Sequence, residues 1–95
     1  MTDTEIIARH YGLEEQALQC IEEMAELTQA INKVRRHYSN DNIENMIEEM
    51  ADVQVMLNQL IYLTDSRNEV KAIMAQKIQR QLERLGMPKK EGLDE

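Results

Sequence analysis

Two clusters of carboxylates carry the chemistry that this sequence offers. The first is Glu22-Glu23-Met24-Ala25-Glu26, and the second is Glu48-Glu49-Met50-Ala51-Asp52. In each, an acid is followed by another three positions on: Glu23 with Glu26, and Glu49 with Asp52. On a helix such pairs share one side and can share a ligand. An acidic run on a single helix is ordinarily a solvated face, and buried acids also pair with Lys or Arg from a neighbouring helix. Here, however, both clusters intrude on apolar stripes. At about 100° per residue, Glu49 falls between Met56 and Leu60, with Asp52 just beyond that edge and Glu48 further out. Glu23 falls between Ala30 and Val34, and Glu26 sits at the border. A carboxylate in an apolar stripe is costly and tends to protonate. A bound cation reverses that cost. All-oxygen ligation selects hard ions: Mg²⁺, Mn²⁺ or Ca²⁺.

The elements that must position these groups are helices. The chain has 95 residues with only 3 Gly and 1 Pro, no Phe or Trp, and 7 Met. That length makes one domain, expected over residues 1–88, with a charged tail at 89–95. Four helical segments are expected. A short one runs from Asp3 to His10, with Thr2 and Glu5 at capping-box spacing, and ends at Tyr11-Gly12. The second runs from Leu13 to His37, with Leu13, Ala17, Cys20, Met24, Leu27, Ile31 and Val34 as its inward stripe. The third runs from Asn42 to Leu63, capped by Asp41 with Glu44, with Ile43, Met46, Ile47, Met50, Val53, Leu57, Leu60 and Ile61 inward. The fourth runs from Arg67 to Leu85 behind Ser66 and Glu69, with Val70, Ile73, Met74, Ile78, Leu82 and Leu85 inward, and stops at Gly86-Met87-Pro88. Short connections between long helices predict antiparallel neighbours, hence an all-α bundle.

Composition narrows the partners. A net charge of −7 argues against a nucleic-acid polymer. No apolar run is long enough to span a bilayer, and no signal peptide is present, so no membrane partner and a cytoplasmic location are expected. The single cysteine, Cys20, excludes an internal disulfide and lies within an apolar periodicity, which predicts a buried, inert thiol. Neither His10 nor His37 follows a Glu by three residues, so the Glu-x-x-His pattern of di-iron bundles is absent.

Glu22-Glu23-x-x-Glu26, a gap, then Glu49-x-x-Asp52 resembles the signature of MazG-like nucleotide pyrophosphohydrolases, of the all-α NTP pyrophosphatase superfamily. The text Glu48-Glu49-Met50-Ala51-Asp52-Val53, with Met56-Leu57-x-Gln59-Leu60 behind it, is similar to short members of that family. The likeness spans roughly Leu13 to Leu85. It implies a four-helix core completed by oligomerisation, as a homodimer or homotetramer. It also implies Mg²⁺-dependent hydrolysis of a nucleoside triphosphate to a monophosphate and pyrophosphate, with Mn²⁺ as a substitute ion. The resemblance makes Glu23, Glu26, Glu49 and Asp52 the metal ligands. Glu22 and Glu23 become the catalytic carboxylates, Glu22 placed to orient a water or a second ion.

Substrate phosphates need cations. Lys77, Arg80 and Arg84 stand three and four apart on the fourth helix, where the family shows Lys and Arg; ordinary solvated bases are the competing reading. Lys33, Arg35 and Arg36 form a weaker cluster, since helix C-termini favour cations anyway. For the base, Asn58 offers an amide, and Tyr11, Tyr38 and Tyr62 offer rings. A dUTPase-like or phosphoribosyl-ATP pyrophosphohydrolase relative fits the same acidic motif. A non-catalytic helical module that dimerises through its Met-rich faces is the reading from outside enzymology, and a MazG-like protein that binds nucleotides without hydrolysing them is a further one.

Overall fold

A computed structural model of the chain describes residues 1–87, and within them every regular element is a helix. They are α1 (Asp3–Arg36), α2 (Asn40–Leu63) and α3 (Arg67–Arg84). Two compact units divide the chain: Met1–Asp65, which holds α1 and α2, and a second that begins at Ser66 and holds α3. The expected tail at 89–95 lies outside the described residues. No helix among the described residues is long and apolar enough to cross a membrane.

The start of α1 is the capping box read from sequence. Thr2 N–H donates to Glu5 Oε1 and Glu5 N–H donates to Thr2 Oγ1, each at 3.2 Å. The break expected at Tyr11-Gly12 is present, as a sharp kink where two helical segments meet inside α1. Gly12 has φ 84 and ψ 171, a conformation open essentially to glycine alone, and the helix resumes beyond it. The first two expected segments are therefore both present, joined at this kink. At the other end of α1, Lys33, Arg35 and Arg36 crowd the last turn, where cations suit the helix dipole.

Ser39, not Asp41, caps α2. Its Oγ accepts from Asn42 N–H at 3.1 Å. The Asn42 amide turns back to donate to His37 O at 2.8 Å and to Lys33 O at 3.5 Å, which ties the start of α2 to the end of α1. A connection of three residues leaves α2 no course but back along α1. Far from that turn, Gln16 Nε2 donates to Gln59 Oε1 at 2.6 Å. α1 and α2 are thus an antiparallel hairpin fastened at both ends.

The seam between them follows intervals of three and four. On α1 it consists of Gln16, Cys20, Glu23, Leu27, Ala30 and Val34, and on α2 of Met46, Glu49, Val53, Met56 and Leu60, all buried or half-buried. That is the heptad pattern of a coiled-coil seam. Its most buried members are small: Cys20 and Ala30 are each 1% exposed. Several residues expected inward are instead exposed. On the hairpin these are Leu13, Met24, Ile31, Ile47, Met50 and Leu57; on α3 they are Ile73, Met74 and Leu85. The helices carry more apolar surface than one hairpin partner can cover.

In the second unit α3 ends in a Schellman turn. Gly86 takes φ 75, its N–H donates to Glu83 O, and Met87 N–H donates to Leu82 O.

Candidate metal centre

The centre lies midway along the hairpin, where the seam changes from apolar to acidic. Glu23 enters from α1, and Glu49 and Asp52 from α2. One carboxylate oxygen of each lies within 4.8 Å of the others. Glu23 and Glu49 are half-buried and Asp52 is exposed, the order that the wheel positions predict. Glu26, the fourth expected ligand, is exposed on α1, and its charge helps to raise the pKa of Glu49. Three of the four expected ligands are therefore drawn together from two helices, and Glu26 is not in that group. Glu22 and Glu48 are exposed beside it.

The electrostatics are those of crowded acids. Glu49 is held above its ordinary value of 4.5 first by burial, then by the charges of Glu26 and Asp52, the hydrogen bond with Glu26, and the charge of Glu23. Two oxygens, Glu23 Oε2 and Glu49 Oε2, are buried without a hydrogen-bond partner. The other oxygen of Glu23 accepts from Gln19 Nε2 at 2.8 Å, which fixes how the carboxylate is turned. Buried carboxylate oxygens with open lone pairs, one helix apart, are a donor set that fits a hard divalent cation. Acidic groups also gather without an ion, but an unpartnered oxygen in the seam is destabilising unless something fills it.

Gln19 escaped the sequence reading, although its signal was present: an amide four residues before an acid meets it on a helix surface. The buried pair Gln16 and Gln59 also escaped it, because a glutamine in an apolar stripe reads as an interruption unless its partner is known. Cys20 sits one turn before Glu23, buried as expected. Burial first, and then the charge of Glu23, push its thiol above its ordinary value and so keep it protonated and unreactive.

The expected phosphate and base contacts are located one by one. Lys77, Arg80 and Arg84 are all exposed along one side of α3, in the second unit. Asn58 is exposed on α2, its Oδ1 accepting from Gln54 Nε2 at 3.0 Å. Tyr11 and Tyr38 are exposed and Tyr62 is half-buried; Tyr11 packs edge-on against His10.

Comparison with known proteins adds no relative: no family model, curated protein or solved structure matches the chain.

Proposed function

We propose that the chain is a divalent-cation-dependent nucleoside triphosphate pyrophosphohydrolase of the MazG-like type. One observation supports this reading above the rest. Glu23, Glu49 and Asp52 converge from two helices, and two of their oxygens are buried with nothing to bind. The motif resemblance supplies the reaction class. Its fourth carboxylate, Glu26, acts electrostatically on Glu49 from the same helix as Glu23.

Glu23, Glu26, Glu49 and Asp52 would hold Mg²⁺, or Mn²⁺ in its place. A cation held there would neutralise phosphate oxygens and lower the pKa of an attacking water. The chain's own residues do the rest. Gln19 keeps Glu23 turned toward the seam. Glu22, exposed and next to Glu23 in the chain, is given by the motif resemblance the role of orienting the attacking water or a second ion. A carboxylate of the set would take the proton that water releases as it attacks phosphorus. The anhydride bond between the α- and β-phosphates breaks, and pyrophosphate leaves. The basic side of α3, Lys77, Arg80 and Arg84, is assigned to phosphate oxygens by the sequence pattern, and Asn58 to the base.

The test is pyrophosphate release from a panel of ribo- and deoxyribonucleoside triphosphates, with Mg²⁺ and with EDTA, beside Glu49→Gln. Metal-dependent release that the variant loses supports the reading, and the panel separates a broad enzyme from a dUTPase-like or phosphoribosyl-ATP-cleaving one. A second reading has its own observation. Leu18, Ile21, Ile47 and Val55 are each more than half exposed, as in a helical module that binds another protein. No release from any substrate, with Mg²⁺ leaving the melting temperature unchanged, would decide for it.

A further inference from the structure

The hairpin's apolar seam is poorly suited to fixing its own register. Its buried apolar residues beyond Gly12 are Cys20, Ala30, Val53 and Met56: two small side chains, one short branched one, and one flexible thioether. Small and flexible side chains tolerate sliding, since few knobs are shaped for one hole. The acidic layer adds a force that parts the helices, because Glu23, Glu26, Glu49 and Asp52 repel one another. Yet the metal-centre geometry needs one alignment held to a fraction of a residue.

Two contacts and one electrostatic coupling obey a single register. Gln16 bonds to Gln59, Glu23 meets Asp52, and the charge of Glu26 acts on Glu49. In each pair a step along α1 is matched by an equal step back along α2. The glutamines stand one heptad from the acids on both helices: seven residues separate Gln16 from Glu23, and seven separate Asp52 from Gln59. Both glutamines are nearly sealed from solvent, at 6% and 2% exposure. The turn, with Ser39 and Asn42, fastens the other end of the hairpin. The acidic layer lies between the two fastenings.

We infer that Gln16 and Gln59 are positioning residues for the acidic centre: their buried hydrogen bond clamps the open end of the α1–α2 hairpin and sets the register that gathers Glu23, Glu49 and Asp52. A lone buried polar pair is known to select register at the expense of stability, because sliding leaves both partners unpaired in the seam. The inference rests on the metal-centre reading for its consequence, but not for its geometry.

The test compares the parent protein with Gln16→Leu and with the double variant Gln16→Leu/Gln59→Leu. Two readouts are taken. The first is metal-free: the nitroxide distance distribution between labels on Glu14→Cys and Val55→Cys, in a Cys20→Ala background so that the labelled thiols are the only ones. The second is Mn²⁺ affinity by calorimetry. Gln16→Leu alone strands the Gln59 amide and lowers the metal-free melting temperature. The double variant removes both polar partners and recovers that temperature. It nevertheless gives a broadened distance distribution and roughly tenfold weaker Mn²⁺ binding. A purely structural pair would show no such split between stability and affinity. A double variant with the parent's narrow distribution, or with Mn²⁺ affinity within about twofold of the parent, overturns the inference. If the double variant does not fold, Gln16→Asn, one methylene too short to reach Gln59, carries the same two readouts. Failure of the parent protein to bind Mn²⁺ would overturn the metal-centre reading instead, and the label distances would then decide the clamp alone.

Discussion

Glu49 is destabilising where it stands once it is ionised. Burial and three acidic neighbours raise its pKa in the folded chain above that of the unfolded chain. The folded protein therefore binds the proton more tightly. The stability this contributes is complete below the ordinary value of 4.5 and is lost as pH rises through the raised folded value. In EDTA, the melting temperature is expected to fall as pH rises through that window, and Glu49→Gln flattens this part of the profile. The same proton competes with a cation, so Mn²⁺ affinity measured by calorimetry rises over the window in which metal-free stability falls. At neutral pH Glu49→Gln melts higher than the parent in EDTA, gains nothing from Mg²⁺, and loses roughly 10²–10⁴-fold of its pyrophosphate release. A variant that melts lower than the parent in EDTA would mean that the carboxylate is satisfied in some other way.

At the scale of the elements, the kink at Gly12 makes a prediction free of packing terms. No heavy atom lies within 4 Å of where a Cβ would sit, so Gly12→Ala meets no clash. The cost is that of the backbone conformation alone, about 1–3 kcal/mol in urea unfolding. An unchanged midpoint would show that the helix straightens through this position. The sequence announced this break because glycine is the natural occupant of such a conformation, and two helical segments do meet there. The capping boxes were legible only in part. Thr2 with Glu5 and Asp41 with Glu44 have identical spacing. Only the first is a cap, because the turn after α1 closes in three residues and hands the role to Ser39, two positions earlier. Ser39→Ala should cost about 1 kcal/mol, whereas Asp41→Ala should change little. The seam was legible where an odd residue stood in it: Glu23 and Glu49 were found by their intrusion on apolar stripes. It was not legible where two apolar flanks compete for one partner. Met24 and Ile31 repeat at helical spacing as faithfully as Leu27 and Val34, yet they are exposed while the latter are half-buried. Periodicity gives a direction around the helix, and only the neighbour's position says which side is covered.

For the whole molecule, the uncovered flank and the small core state one problem. The hairpin's largest side chain with less than 2% exposure is Cys20, while Leu18 and Ile21 on α1 are 61% and 59% exposed and Ile47 and Val55 on α2 are 54% and 53%. A unit of this size with so little buried apolar volume is marginal alone and gains most by covering apolar surface with a second copy. The charges bear on where such contact can form. Residues 1–65 hold thirteen acids against four bases, so two hairpins repel except where apolar faces meet or a cation intervenes. Association that buries these side chains makes folding depend on concentration. The melting temperature is therefore expected to rise over a roughly hundredfold increase in protein concentration, and sedimentation should show a dimer or tetramer. Ile47→Glu places a charge in the face that such an association would cover. It should yield a smaller species whose melting temperature no longer depends on concentration. Because Ile47 is exposed within one chain, the substitution leaves the hairpin's own seam untouched, so a loss of pyrophosphate release in a still-helical monomer would mean that the active arrangement requires the second copy. A parent protein that sediments as a monomer, with a melting temperature independent of concentration, would instead leave these apolar faces for a different partner.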